Sequence, residues 1–266
     1  MLTNLHTHTS FCDGKNTVEE MVRAAIEKGF ASLGFSGHAK TDISAGYCMR
    51  DPEGYIDAVL AAKEKYKKEI DIFLGLEEEA HCPADRSRFD YIIGSLHYYF
   101  VGEEHFPVDS SREKTQRAID ALGGDPLRAA EVYFEYFTDY ILRRKPDIIG
   151  HFDLLTKFDE MGEPFFLDTK GYEEMARKYL ERAAASGGIF EVNTGAISRG
   201  YRKTPYPTED LLHLMKKLDV KIALTSDCHA AENLTCAFDE TRALLREVGF
   251  REQCVLTRDG FVKDAI

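Results

Sequence analysis

The chain has 266 residues, of which 44% are hydrophobic and 30% charged, with a formal net charge of −12. This is enough apolar material for a sizeable core, in one large domain or two small ones. The acidic balance argues against nucleic acid as a main partner, because phosphate backbones are held by basic stripes. No run is long and apolar enough to suggest a membrane span, and no basic-then-apolar leader opens the sequence, so the expectation is a cytoplasmic enzyme. Cys12, Cys48, Cys82, Cys228, Cys236 and Cys254 are scattered and form no Cys-x-x-Cys pair, so they read as reduced thiols.

In chain order, the first strand is expected at 2–6. A helix follows at 17–28, where Val18, Met21, Val22, Ala25 and Ile26 form an apolar stripe. Thr17 and Glu20 have the spacing of a capping box, and Gly29 ends the helix. Further strands are expected at 32–36, 70–77, 90–95, 147–151, 188–193 and 220–226. Helices are expected at about 52–68, 126–144, 170–186, 208–218 and 236–247. Strand–helix alternation of this kind, with no linker, internal repeat or low-complexity tract, argues for a closed or nearly closed α/β barrel. A doubly wound open sheet would carry a glycine-rich turn after its first strand, and this strand runs into His-Thr-His-Thr. One domain covering 1–266 is expected. The polar segment 100–126 interrupts the rhythm. It reads equally as a surface excursion with a short helix or as a lid over a site.

Residues with metal-binding chemistry recur where strands end. His6 and His8 close the first strand, with Asp13 in the next loop; His38, Glu77, His97 and His151 follow in turn; Asp227 and His229 close the last. Six of the nine histidines thus fall just past a predicted strand, the face on which parallel barrels build their sites. Strand alternation points His6 and His8 the same way, and likewise Asp227 and His229, with Cys228 between them facing elsewhere. A lone histidine at such a place is usually a hydrogen-bonded polar residue, but six with interleaved carboxylates argue for a metal site. Nitrogen and oxygen donors suit Zn, Fe or Mn. His81, His105 and His213 read as ordinary polar residues, although His105, in the long loop, is a weak candidate for touching substrate. Arg199, in a glycine-rich loop directly after a strand, is the leading candidate for binding phosphate through its planar fork. Arg202 is a second candidate and Lys203 a weaker one.

The stretches HTHTSFCDG, GFSGHA, GLEEE, GSLHYY, GHFD and SDCH, in this order, resemble the polymerase and histidinol phosphatase (PHP) family of metallophosphoesterases over residues 1 to about 230. The resemblance implies a distorted (β/α)7 barrel and three divalent metal ions. One ion would be held by His6, His8, Glu77 and Asp227. A second would share Glu77 and add His97 and His151. The third would be held by Asp13, His38 and His229. Glu79 shares the strand face of Glu77, and the loop NTGAISRG differs in spacing from the commoner family form. The length and the stretches MRDPEGYIDAVLAAKEKYKKEIDIFLGLEEE and EVNTGAISRGYRKTPYP look like the stand-alone histidinol phosphatases of histidine biosynthesis.

That resemblance implies hydrolysis of a small phosphate monoester, L-histidinol phosphate first, by attack of a metal-bridging hydroxide, with Glu77, Asp227 and Arg199 as catalytic groups. The ions would leave the centre net positive, so an acidic protein can take a phosphate dianion. No residue stands out as general acid, and Glu79, Glu103 and Glu104 are weak candidates for receiving the cationic end of the substrate. A nucleotide or sugar phosphate is the alternative substrate. An amidohydrolase-type enzyme would place a bridging lysine where this chain has Glu77. A metal-dependent binding module is the non-enzymatic alternative, which a Glu77→Ala variant would separate from catalysis.

Overall fold

The computed structural model describes residues 1–43 and 46–266. In chain order the elements are β1 (Thr3–Asn4), α1 (Val18–Glu27), β2 (Ser32–Phe35), α2 (Pro52–Tyr66), β3 (Asp71–Glu79), β4 (Tyr91–Ser95), β5 (Tyr98–Val101) and β6 (Glu104–Pro107). There follow α3 (Arg112–Ala121), α4 (Pro126–Arg144), β7 (Ile148–Ile149), α5 (Tyr172–Ala184), β8 (Ile189–Asn193), α6 (Gly195–Ser198), α7 (Glu209–Lys217), β9 (Lys221–Thr225), α8 (Phe238–Val248), β10 (Glu252–Thr257) and β11 (Gly260–Ala265). Seven parallel strands form one sheet in the order β1-β2-β3-β4-β7-β8-β9. The sheet closes on itself by a parallel bridge between Thr7 and Cys228. This is the expected barrel.

The closing seam is distorted for a chemical reason. β1 pairs with β2 over only two residues, and Asn4 then links β1 to β9 by side chain. Its Nδ2 donates to Ser226 Oγ at 2.6 Å and to the Leu234 carbonyl at 3.1 Å, while its Oδ1 accepts from the His6 and Ser226 amides. The expected strand at 2–6 is therefore shorter as a ladder, although its backbone continues extended toward the bridge at Thr7.

Inside the barrel, Tyr91 runs across the axis and donates its hydroxyl to the Leu5 carbonyl. A Cβ at Gly75 would lie 2.2 Å from the Tyr91 ring, so that strand position accepts only glycine. Leu5, Phe73, Ile93, Ile148, Ile189 and Ala223 pack in the same cluster. Cys254 and Leu256 of the β10–β11 hairpin join them, so the hairpin plugs the end of the barrel away from the site. No element was expected beyond residue 247. β10 reads as an apolar strand, but its partner GFVKDA is half polar, and only packing under the barrel reveals its role.

The six predicted helices form close to their expected limits. In α1 the capping box is present: Thr17 accepts from the Glu20 amide, and Glu20 accepts from the Thr17 amide. Two boundaries differ in ways that matter. β3 runs two residues further than expected and carries Glu77 within the strand rather than at its end. The segment 100–126 holds most of an antiparallel hairpin, β5–β6, and the helix α3. The hairpin escaped the sequence reading because its two-residue turn, Gly102-Glu103, lies between residues of mixed polarity.

Candidate metal centre

β3 positions three consecutive glutamates by simple alternation. Glu78 points outward and is fully buried under α4, where Arg144 donates to it twice at 2.8 Å and Tyr140 donates at 2.7 Å. Glu77 and Glu79 point to the other face. Glu77 is pinned by backbone contacts with the continuation of β2: its amide donates to the Gly37 carbonyl, and its carbonyl accepts from the Ala39 amide. Its carboxylate, 1% exposed, is the centre of the cluster. Oε2 lies 3.3 Å from His6 Nε2, 3.6 Å from His8 Nε2 and 2.7 Å from His38 Nδ1. Oε1 lies 3.1 Å from His151 Nε2 and 3.4 Å from His97 Nε2.

Asp227 enters from beyond β9 with φ +45°, a left-handed backbone conformation unusual for a non-glycine residue. Its Oδ1 lies 3.1 Å from His8 Nε2 and 3.6 Å from His6 Nε2. Gly195 makes room for it, since a Cβ there would come within 2.8 Å of Oδ2. Asp13 faces His229 at 3.2 Å, and His38 and His8 each at 3.7 Å. His229 Nδ1 lies 3.0 Å from both the Asp227 carbonyl and an Arg199 amine. It cannot donate to one and accept from the other, and we assign the proton to the carbonyl contact, which leaves Nε2 free toward Asp13.

Two carboxylates that the sequence reading passed over or misplaced stand behind these imidazoles. Glu191, in β8, accepts from His6 Nδ1 at 2.5 Å, from Thr225 Oγ1 at 2.7 Å and from the His151 amide at 2.7 Å. Glu79 accepts from both the ring Nδ1 and the amide of His97 at 3.0 Å. Such carboxylates fix the tautomer so that Nε2 presents its lone pair to the centre, the usual support of a metal-binding histidine. The sequence signal for Glu191 was a charged residue inside an otherwise apolar strand, IFEVN. Glu79 serves His97 and does not line the cleft, so it is not the group that receives substrate.

The electrostatics call for cations. Asp13, Glu77, Asp227, Glu79 and Glu191 converge here. Burial by itself would push the Glu77 carboxyl up, but His38, His6 and His97 hold it well below its usual range. Asp227 is likewise held down against burial by Arg199 and His6. Burial and repulsion from His229 and His38 push His8 down to about 3, so it is a neutral imidazole available as a ligand. Among the described residues, His6 Nε2, His8 Nε2 and Glu77 Oε2 are buried without a hydrogen-bond partner. Three overlapping sets of donor atoms each lie within 4.8 Å of one another: His8, Asp13, His38 and His229; His6, His8 and Glu77; and His38, Glu77 and His97. The residues fit divalent ions. His8, His38 and Glu77 each fall in two sets, so the arrangement is more shared than three separate ligand groups.

Above the centre lies a cleft of about 670 Å³. Arg199 reaches into it, one amine 3.1 Å from Asp227 Oδ2. Arg202 does not. It is 4% exposed, donates to Thr156 Oγ1 and Thr204 Oγ1, and covers the Tyr206 ring. Its charge is committed to packing the loop, which corrects its expected role at the substrate phosphate. Lys203, Glu103, Glu104 and His105 also lie outside the cleft lining, whereas Pro107, Asp109, Ser110 and Lys114 of the 100–126 segment line it. The segment is thus a wall of the site, not only a surface excursion.

Compared with known families, residues 4–195 match the PHP domain. The chain belongs to the PHP family. The matched region carries seven of the nine expected ligands of the PHP centre, and β9 brings Asp227 and His229, from beyond it, to the same place. The probable histidinol-phosphatase of Schizosaccharomyces pombe is 28% identical over 95% of this chain and 89% of its own. The histidinol-phosphatase of Bacillus subtilis is 23% identical over 88% of this chain and 96% of its own. Histidinol phosphate phosphatase from Lactococcus lactis, solved with zinc, L-histidinol and phosphate, superposes with a TM-score of 0.75 at 20% identity, covering 98% of each chain. At that identity the superposition establishes the barrel. Among the described residues no helix of this PHP protein is long and apolar enough to cross a membrane.

Proposed function

We propose that this PHP protein is a metal-dependent phosphomonoesterase that hydrolyses L-histidinol phosphate to L-histidinol and phosphate, acting as one catalytic unit in the cytoplasm. The observation that carries this reading is the convergence of unpartnered, buried imidazole and carboxylate atoms on Glu77, beneath a cleft that Arg199 enters. The names of the full-length relatives supply the substrate.

In this reading His6, His8, Glu77 and Asp227 would hold one divalent ion, Glu77, His97 and His151 a second, and Asp13, His38 and His229 a third, with Zn, Fe or Mn as the occupants. When bound, such ions supply an acidified water as nucleophile and positive charge for the phosphoryl oxygens. The chain's own residues do the rest. Glu191 and Glu79 keep His6 and His97 in the tautomer that leaves Nε2 unprotonated. Glu77 would be the ligand common to the two deep positions, each of its oxygens facing a different group of imidazoles. Arg199 donates its guanidinium N–H groups to the non-bridging oxygens, a planar match that favours the trigonal phosphoryl group of the transition state. The walls formed by Tyr98, Pro107 and Tyr201 limit the space beside the phosphate.

The test is turnover of a panel of phosphate monoesters by the metal-loaded protein. Selective hydrolysis of histidinol phosphate is expected, with the activity lost in Glu77→Ala. Equal or better rates on nucleotide or sugar phosphates would move the assignment to another small phosphate. Full activity in Glu77→Ala would end the catalytic reading.

A further inference from the structure

The cleft is lined, among the described residues, by four carboxylates: Asp13, Glu77, Asp109 and Asp227. The proposed function uses three of these as metal ligands. Asp109 remains, and it is held differently. It lies between β6 and α3, where the 100–126 segment turns over the site. Its neighbour Val108 donates its amide to the His97 carbonyl at 2.8 Å, which ties the turn to the end of β4. Lys157, itself 7% exposed, donates to the Asp109 carbonyl at 2.8 Å and to its Oδ2 at 3.0 Å. Arg112 anchors the same segment through the Phe158 carbonyl at 2.6 Å. The carboxylate is therefore fixed in place, and Lys157 occupies one oxygen. Among the described residues no hydrogen bond reaches Oδ1.

An amino-alcohol phosphate presents two opposite charges a few bonds apart. Its phosphoryl end is matched by the metal centre and by Arg199. Its ammonium end needs an anion that no metal claims, and among the described residues Asp109 is the one such group in the lining. Tyr47 and Tyr98, whose rings stack 6.2 Å apart at 26°, lie on the same wall and offer aromatic faces to a planar imidazole. Burial alone would raise the Asp109 carboxyl, but Lys157 beside it, with His97 beyond, keeps it well below the usual carboxylate range, so it stays ionised.

We propose that Asp109 selects the substrate, its carboxylate Oδ1 accepting from the ammonium group of an amino-alcohol phosphate whose phosphoryl end sits at the metal centre. This rests on the function proposed above. It also explains why a wall segment foreign to the barrel rhythm is anchored so firmly. A sugar or nucleoside phosphate has no cation to offer Asp109 and leaves its Oδ1 desolvated, which is a penalty against the wrong substrate.

The test compares kcat/KM for histidinol phosphate with that for its des-amino analogue, imidazolylpropyl phosphate, on the metal-loaded enzyme. The wild type is expected to favour the amine-bearing ester by about 10- to 100-fold, the range of a charged hydrogen bond. Asp109→Asn should bring the ratio close to one, mainly through KM, and Asp109→Glu should restore most of it. A wild-type ratio near one overturns the proposal without recourse to any variant, as does an unchanged ratio in Asp109→Asn. If the Asn variant does not fold, inhibition of the wild type by L-histidinol against des-amino histidinol reads the same preference. Strong turnover of both esters without discrimination sinks Asp109 alone. Turnover of neither, with activity on an uncharged alkyl or sugar phosphate, sinks the substrate assignment as well.

Discussion

The deep and the shallow halves of the centre are held by different means. At the floor, Glu77 is 1% exposed, sits inside a nine-residue strand, and is pinned on one side by backbone pairing to the continuation of β2. Two of the imidazoles around it, His6 and His97, are braced from behind by Glu191 and Glu79. At the rim, the Asp13 side chain is 32% exposed and comes from a loop, and it meets His229 and His38 at 3.2 and 3.7 Å. The register of a barrel fixes the floor, so its donors are preorganised whether or not an ion is bound. The rim depends on loops and is completed by its ligand. Ions should therefore leave and enter at the rim first.

Four measurements would break or sharpen that contrast. Glu77→Gln keeps the shape and removes the shared charge, and activity should fall by about a thousandfold or more, with loss of more than one ion per chain by elemental analysis. Loss of a single ion would mean that the floor positions do not share Glu77. Next, Arg144→Met strips the charged partner from fully buried Glu78 while leaving the centre untouched. It should cost about 3 kcal/mol in denaturant unfolding, with kcat preserved below the transition; a fall in kcat without lost stability would show that the two faces of β3 are not independent. Glu191→Ala should weaken metal affinity by about 10- to 100-fold, because His6 loses its brace, and a competition titration with a chelator reads this directly. Affinity like that of the wild type would show that the barrel orients His6 without help. The smallest effect is expected from Asp13→Asn, about tenfold in activity, together with loss of one ion under mild chelation. Complete inactivation would put the rim on the same footing as the floor.

Much of this was legible in the sequence because the chemistry is local. His6 and His8 flag themselves by alternation, Thr17 and Glu20 by capping, and the helices by their apolar stripes. Asp227 and His229 could be read as strand-end residues before any family was considered. Residues whose role depends on what packs against them could not be read. Arg202 and Arg199 stand three apart in one loop, and only folding shows that the first turns under the loop to Thr156 while the second faces the cleft. Glu191 looks like a misplaced charge until His6, 185 positions away, is brought against it.

The sequence alone determined the barrel, the places of its strands along the chain and the donor types that gather at their ends, because these follow from period, propensity and residue chemistry. Tertiary structure decided which carboxylate does what. Glu77, Glu78 and Glu79 are three identical side chains in a row. Strand alternation turns the middle one to Arg144, and the ring nitrogen of His97 that each faces, Nε2 for Glu77 and Nδ1 for Glu79, separates the outer two into a centre and a brace. It also decided that the 100–126 segment is a wall, since a loop's function is set by what it folds over, and that information lies elsewhere in the chain.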